Sequence, residues 1–372
     1  VNPTAENHAS PTKELRVPKK NSLPVKERVT KPGLETGPEF LSATRCLQIH
    51  RIMVRARLME ERMIKMSKSG EGYFWIGGPG EEAFNACLGL QVKKGQGPEF
   101  DYLHLHYRNS ATMVAMGMEQ LDGIRQMGMT VNDPFSIGRN FPGHFSRKAW
   151  NVIPVSSVIE VQFAMAAGTA LVQKRTGGDS ITIVVGGEAG AAEGDFGTCL
   201  QWSSRPNNEL PVLMITMNNG WGISTSHCSQ HSCEHSPERG KAFGIPGEVV
   251  DGNDPVASWA AIERAMHYCR GERRPYILEA MVSRLYGHSS SSGAPRSDEA
   301  DCIALLEERL LGAQLVEREA LERVHEEAQA EAEAAVEKAM QEPKPTPEDV
   351  ERFTYAPSPV DAVYPDDYTG LP

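Results

Sequence analysis

From residue 45 onward, helix-period segments alternate with short continuous apolar runs. LQIHRIMVRARLMEERMIKM puts apolar side chains at helical spacing and predicts a helix over 46–66. The segment GYFWIGGPG supplies aromatic residues and a Gly-Gly-Pro-Gly turn, and a second helix is expected from about Glu81, its acidic first turn suiting the helix dipole. FDYLHLHYRNS is a short strand-like run ending in His106, Tyr107 and Arg108. A helix over 111–127 is expected next, then an irregular loop, SIGRNFPGHFS, carrying Arg139 and His144. VIPVSSVIEVQFAMAAGTALVQKR reads as a turn at Ser156 and Ser157 followed by a long helix. Its small residues, Ala164, Ala166, Ala167, Gly168 and Ala170, permit close packing.

The densest pattern covers residues 181–225. ITIVV and PVLMITM are continuous apolar runs, as expected of strands buried on both faces of a parallel sheet. Between them lie a glycine-rich turn with Glu188 and a helix start near Glu193; Asn218 and Asn219 follow the second run. Residues 226–254 hold too many turn formers for regular structure. A helix over 255–269 then leads to PYILEAMV, a buried strand that delivers Arg284, Gly287 and His288 at its carboxyl end. Residues 289–293, four serines and a glycine, read as a flexible loop, and 302–340 as one or two exposed amphipathic helices. Residues 1–40 have no sustained apolar period and read as an arm. This pattern implies an α/β fold, a mainly parallel sheet flanked by helices, organised as an extended arm (1–44), an α/β domain (45–300) and a helical extension with a tail (301–372).

The formal charge of -11 argues against nonspecific nucleic-acid binding. No apolar run reaches the length of a bilayer span, and the first residues lack the apolar core of a secretory signal, so no membrane association is expected. A soluble intracellular protein is expected, cytoplasmic in a bacterium or in the mitochondrial matrix of a eukaryote. Seven cysteines, an odd number, fit free thiols in a reducing compartment. His227, Cys228, His231, Cys233 and His235 are close enough in sequence to bind zinc, but their spacing matches no familiar finger.

In a doubly wound sheet, Arg108, Ser156, Glu188, Asn219 and His288 fall on the carboxyl edge, where ligands bind. A carboxylate and an amide oxygen on adjacent turns can hold a hard cation against a phosphate. Arg108 matches phosphate oxygens with its planar fork, or makes a surface ion pair. Taken singly, Asn218-Asn219 also reads as a turn pair and Glu188 as a helix cap.

The block GEAGAAEGD, the run PVLMITM and the segment NNGWGIST resemble the thiamin diphosphate fingerprint of transketolase-like enzymes. The version is that of alpha subunits of the decarboxylating component of 2-oxo acid dehydrogenase complexes. VDGND, ILEAM followed by R-x-x-G-H-S, the early Tyr-Arg pair, GRNFPGHF, SSVIEVQ and PKPTP look most like the branched-chain members, so the resemblance covers about residues 45–345. It implies a thiamin diphosphate-binding fold. It also implies magnesium held by Glu188, Asn219 and the Trp221 carbonyl, diphosphate held by Tyr107 and Arg108, and a catalytic His288 beside it. Ser157 and Ile159 match positions against the cofactor rings, Gly187, Ala189 and Ile223 match the rest of the cofactor wall, and Ser156 with Gln162 match part of a potassium site seen in some relatives. The implied partners are a beta subunit in an α2β2 heterotetramer, a lipoyl-bearing acyltransferase and a small 2-oxo acid. The serine run matches a position that kinases phosphorylate in mitochondrial relatives.

Three positions depart from the pattern. Ala189 replaces a glycine, which crowds the phosphate unless its φ is negative. Met217 stands where some relatives have a phosphate-binding arginine, and Trp221 fills a common tyrosine position. The alternatives are a pyruvate or acetoin dehydrogenase alpha subunit and, from another class, a non-catalytic binding or assembly subunit.

Overall fold

In the computed structural model, which describes residues 41–352 and 354, the first helix, α1 (Ala43–Ser69), starts where the Ser42 hydroxyl accepts from Arg45 N–H. It ends at Gly70, whose φ of 80° suits a residue without Cβ. Almost all of the arm expected over 1–44 lies outside the described residues, as does most of the tail. Next come α2 (Glu82–Gln91), β1 (Tyr102–His104), α3 (Ser110–Ala115) and α4 (Gln120–Met127). The single helix expected over 111–127 is therefore two. Gly117, at φ 108°, breaks it, and apolar residues on both sides of the break hid it from a periodicity reading.

The chain continues through α5 (Val161–Thr176), β2 (Thr182–Gly187), α6 (Gly194–Ser203), β3 (Val212–Asn218) and a small ribbon of β4 (Trp221–Gly222) and β5 (Thr225–Ser226). Then follow α7 (Ser236–Gly240), β6 (Gly247–Asp251), α8 (Pro255–Glu272), β7 (Tyr276–Met281), α9 (Cys302–Gly312), α10 (Arg318–Met340) and α11 (Pro347–Arg352). The expectation of no regular structure over 226–254 fails at α7 and β6. A short edge strand with charged, mostly solvent-facing residues carries little apolar signal.

The main sheet is wholly parallel, in the order β1-β2-β3-β7-β6. Alternate residues of its central strands feed two cores, as a period of two requires. Val184, Val212 and Met214 pack with Phe163 of α5 and Phe196 of α6 on one face. Ile183, Val185, Leu213 and Ile215 join α1, α2 and α8 residues on the other. Burial on both faces explains the unbroken apolar runs.

The segment over 302–340 is two helices, and α10 is less exposed than expected. Leu321, Ala328, Ala335, Val336 and Ala339 belong to the same core as α1, and Arg55–Glu331 and Arg62–Glu333 pair across the contact. The serine run is an ordered turn instead of an open loop. Ser289 forms a capping box with Ser292, and the Ser290 hydroxyl accepts from Trp75 N–H at 3.0 Å. All seven cysteines are free, and no described helix is long and apolar enough to cross a membrane.

Buried Arg57 on α1 ties these layers together, forking onto Glu82 (2.6 and 2.9 Å) while also reaching Asp301, the N-cap of α9. Removing one member of a buried pair strands the other. Arg57→Met should therefore lower stability in urea denaturation by about 3–5 kcal/mol. Arg296→Ala, on the exposed flank of the same cluster, should cost less than about 1 kcal/mol. Equal costs would show that charge compensation is not what holds the layers.

Candidate cofactor site

The carboxyl ends of β1, β2, β3 and β7 open into one cavity of about 260 Å³. The exit of β1 supplies Tyr107 and Arg108 to its wall, and β2 and the turn after it supply Gly187, Glu188 and Ala189. Asn219 follows β3, Trp221 and Ile223 come from the ribbon, Ser156, Ser157 and Ile159 from the loop before α5, and His288 from the loop after β7. Residues from Tyr107 to His288, nearly half the chain, thus share one surface. Met217 lies in the β3 interior, fully buried and paired with Gly187 and Ala280, away from that wall.

Arg108 is 5% exposed and anchors the wall. Its guanidinium donates to the Gly77 carbonyl, to the Tyr107 hydroxyl at 3.2 Å and to His288 Nδ1 at 3.0 Å, and faces Glu81 at 3.7 Å. Because Nδ1 of His288 accepts, the imidazole proton sits on Nε2. Burial, with the charges of Arg108 and Arg284, lowers the His288 pKa to about 4. His288 thus stands on the cavity wall as a neutral hydrogen-bond donor.

Glu188 is also buried, which pushes its carboxyl up to about 7. Its Oε2 accepts weakly from Asn219 N–H at 3.4 Å, and its Oε1 has no partner. The two asparagines divide their work. Asn218 is both a turn residue, accepting from Gly220 N–H at 2.9 Å, and an anchor, donating to Glu279 at 2.7 Å. Asn219 lies on the cavity wall, its Oδ1 accepting from Trp221 N–H at 3.1 Å. An orphaned carboxylate oxygen beside an amide oxygen fits an oxygen-seeking cation such as magnesium. Ala189 has φ -63°, so its Cβ imposes no backbone strain on the turn.

Sequence reasoning missed several groups. Glu81 has both carboxylate oxygens buried without a hydrogen-bond partner, and burial raises its pKa to about 8; its place after a glycine turn resembled an ordinary helix start. Glu160, also on the wall, has φ 61°, accepts from Gly187 N–H at 3.1 Å and is raised by burial to about 8. Its carboxylate fills a cradle beneath Gly186 and Gly190, where any Cβ would strike it. The only cue was two glycines in a turn. His144 accepts at Nε2 from the Ser157 hydroxyl at 2.6 Å, whereas Arg139 is exposed and off the wall, its Nε donating to the Ser136 carbonyl. Of the histidines of 227–235, His231 Nε2 meets the Glu188 carbonyl oxygen at 2.7 Å with the His227 ring stacked on it, whereas His235 Nδ1 turns to Glu279 at 3.1 Å. Among the described residues they form no group of three ligand atoms that could hold a metal.

A family model described as the dehydrogenase E1 component matches residues 50–348. The chain belongs to this family. The E1 chain is 31% identical over 250 residues to the 2-oxoisovalerate dehydrogenase subunit alpha of Bacillus subtilis (strain 168), covering 67% of this chain and 74% of that protein. It is 29% identical to the mitochondrial 2-oxoisovalerate dehydrogenase subunit alpha 2 of Arabidopsis thaliana, over 71% of this chain and 54% of that one. The mitochondrial alpha subunit of Mus musculus is 28% identical, over 68% of this chain and 55% of its own length. The matches thus span little more than half of the plant and mouse relatives.

The Glu160 cradle of this E1 chain makes a steric prediction. Gly190→Ala should cost about 1–3 kcal/mol of stability by overpacking. In a Glu160→Ala background the same change should cost much less, measured as a double-mutant cycle in denaturant. Additive costs would mean that Glu160 does not fill the cradle.

Proposed function

We propose that this E1 chain is the alpha subunit of a thiamin diphosphate-dependent 2-oxo acid dehydrogenase that acts on branched-chain 2-oxo acids. In this reading it works with a beta subunit as an α2β2 heterotetramer and passes the acyl group to a lipoyl-bearing acyltransferase. One observation carries the reading: a buried arginine, a neutral histidine and an orphaned carboxylate oxygen beside an amide oxygen meet at the carboxyl edge of one parallel sheet. The names of the bacterial, plant and mouse relatives support the branched-chain substrate over pyruvate or acetoin.

When bound, thiamin diphosphate supplies a stabilised carbanion for attack on the 2-oxo carbon and an electron sink for the pair left by carbon dioxide. The chain's own residues bind, orient and exclude water. Arg108 and Tyr107 would hold the diphosphate, and Glu188, Asn219 and the Trp221 carbonyl would hold magnesium. His288, fixed by Arg108 through Nδ1, presents Nε2–H to an oxygen that gains charge. Ser157, Ile159 and Ile223 would flank the cofactor rings, the two isoleucines keeping water away. A potassium ion at Ser156 and Gln162 belongs to the same proposal, since Gln162 Nε2 is taken by the Val185 carbonyl and leaves Oε1 as the ligand atom. The non-catalytic alternative drew on Ala189, and the negative φ there removes that support.

The test is decarboxylation of 3-methyl-2-oxobutanoate beside pyruvate, by the chain assembled with its beta subunit, thiamin diphosphate and magnesium. Turnover should favour the branched substrate. Calorimetry should find that Arg108→Ala weakens cofactor binding roughly 10–100-fold, as loss of a charged hydrogen bond would. Glu188→Ala should lose the magnesium requirement together with tight binding. An assembled complex that binds the cofactor yet turns over no 2-oxo acid would sink the proposal.

A further inference from the structure

Outside the lining of the cofactor cavity, three helices bring metal-ligating side chains together. His50 on α1, Glu307 on α9 and His325 on α10 place their ligand atoms within 4.8 Å of one another. His50 Nε2 lies 2.8 Å and His325 Nε2 2.7 Å from the same oxygen, Glu307 Oε1. His50 is fully buried and its Nδ1 has no partner, so the ring's only polar engagement is with this cluster. Glu307 and His325 are partly exposed, which opens the cluster to solvent on one side. Partial burial works against ionisation of Glu307, but the hydrogen bonds from His325 and His50 outweigh it and hold its carboxyl down at about 2.

We propose that His50, Glu307 and His325 form a site for a borderline divalent transition-metal ion of the zinc class, with water as the fourth ligand. Two imidazoles and a carboxylate suit zinc, whereas magnesium and calcium prefer all-oxygen shells. A tetrahedral ion with bonds of about 2.0–2.1 Å sets its donors about 3.3 Å apart, so the two contacts to Glu307 need open by about half an ångström, while the two imidazole nitrogens, within 4.8 Å of each other, settle to the same spacing. The half-exposed His325 ring can make that move. The sequence offers no short motif for such a site, because His50 lies more than 250 residues before the other two ligands. The ion would fasten the C-terminal helices α9 and α10 to α1, a structural role separate from decarboxylation.

Solvent-reachable thiols take up zinc adventitiously, so the parent for the test is the full chain carrying Cys228→Ser and Cys233→Ser, the free cysteines that are not buried. After chelator treatment it is titrated with zinc chloride against a competing indicator, and with cobalt(II) followed by visible absorption. One zinc per chain is expected, with a rise in thermal midpoint and a cobalt spectrum of mixed nitrogen and oxygen ligation. His325→Ala, at a partly exposed position, should weaken zinc binding by about 100-fold or more and remove the thermal shift, as loss of a ligand predicts. Glu307→Gln should weaken it at least about 10-fold. Failure of the parent to bind zinc, or a loss smaller than about 10-fold in both variants, overturns the proposal.

Discussion

A buried guanidinium is the constraint on which the rest of this site depends. Arg108 leaves water almost completely, and an uncompensated charge there would cost several kcal/mol. The chain answers from three directions: the Gly77 carbonyl from one turn, the Glu81 carboxylate from the start of α2, and His288 from beyond β7. The Gly-Gly-Pro-Gly turn owes its composition to that answer. A Cβ at Gly78 would lie 2.5 Å from the Arg108 carbonyl oxygen, and Gly80 takes φ 109° to pass beneath Ser283. Fixing Arg108 therefore fixes the entrance to α2 and the loop carrying His288, which share no sequence proximity.

The carboxylates around it complete the electrostatics. Burial, with the charge of Glu188 adding to it, raises Glu81 and Glu160 to about 8, and burial raises Glu188 to about 7. Such a group of acids is stable when protonated or when facing cations. Arg108 supplies one positive charge, and a divalent ion at Glu188 would supply the rest while holding that carboxyl ionised.

Much of this was legible in the sequence because its signals are local. Continuous apolar runs gave the strands, helical spacing gave α1, α2, α5 and α8, and turn chemistry marked Glu188 and Asn219. What escaped is physically of another kind. Gly117 breaks a helix without breaking its apolar period, and β6 is an edge strand with little to bury. Glu81 and Glu160 matter because of what surrounds them in space, and a carboxylate after a glycine turn looks the same in sequence whether buried or solvated. The serine run resembled an open loop because its order comes from a distant backbone, that of Trp75. His288 was placed at the right strand end, but its neutrality follows first from burial and then from an arginine 180 residues away.

The mouth of the cavity exposes a group of apolar side chains. Ile159 and Ile223 are 62% and 61% exposed, and Val158 and Trp221 lie open beside them. Ile223 also holds φ 57°, an unfavourable conformation for a β-branched residue, and its carbonyl is pinned by Arg284 at 3.0 Å. The same character runs along α5. Phe163, Ala166, Ala167 and Ala170 face the core, while Met165 and Val172 stand exposed on the other side with Gly168 between them. A helix apolar on both sides belongs in an interior. In the proposed heterotetramer, the surface that covers α5 would also cover Ile159 and Ile223, so that subunit association and closure of the cofactor site would be one event.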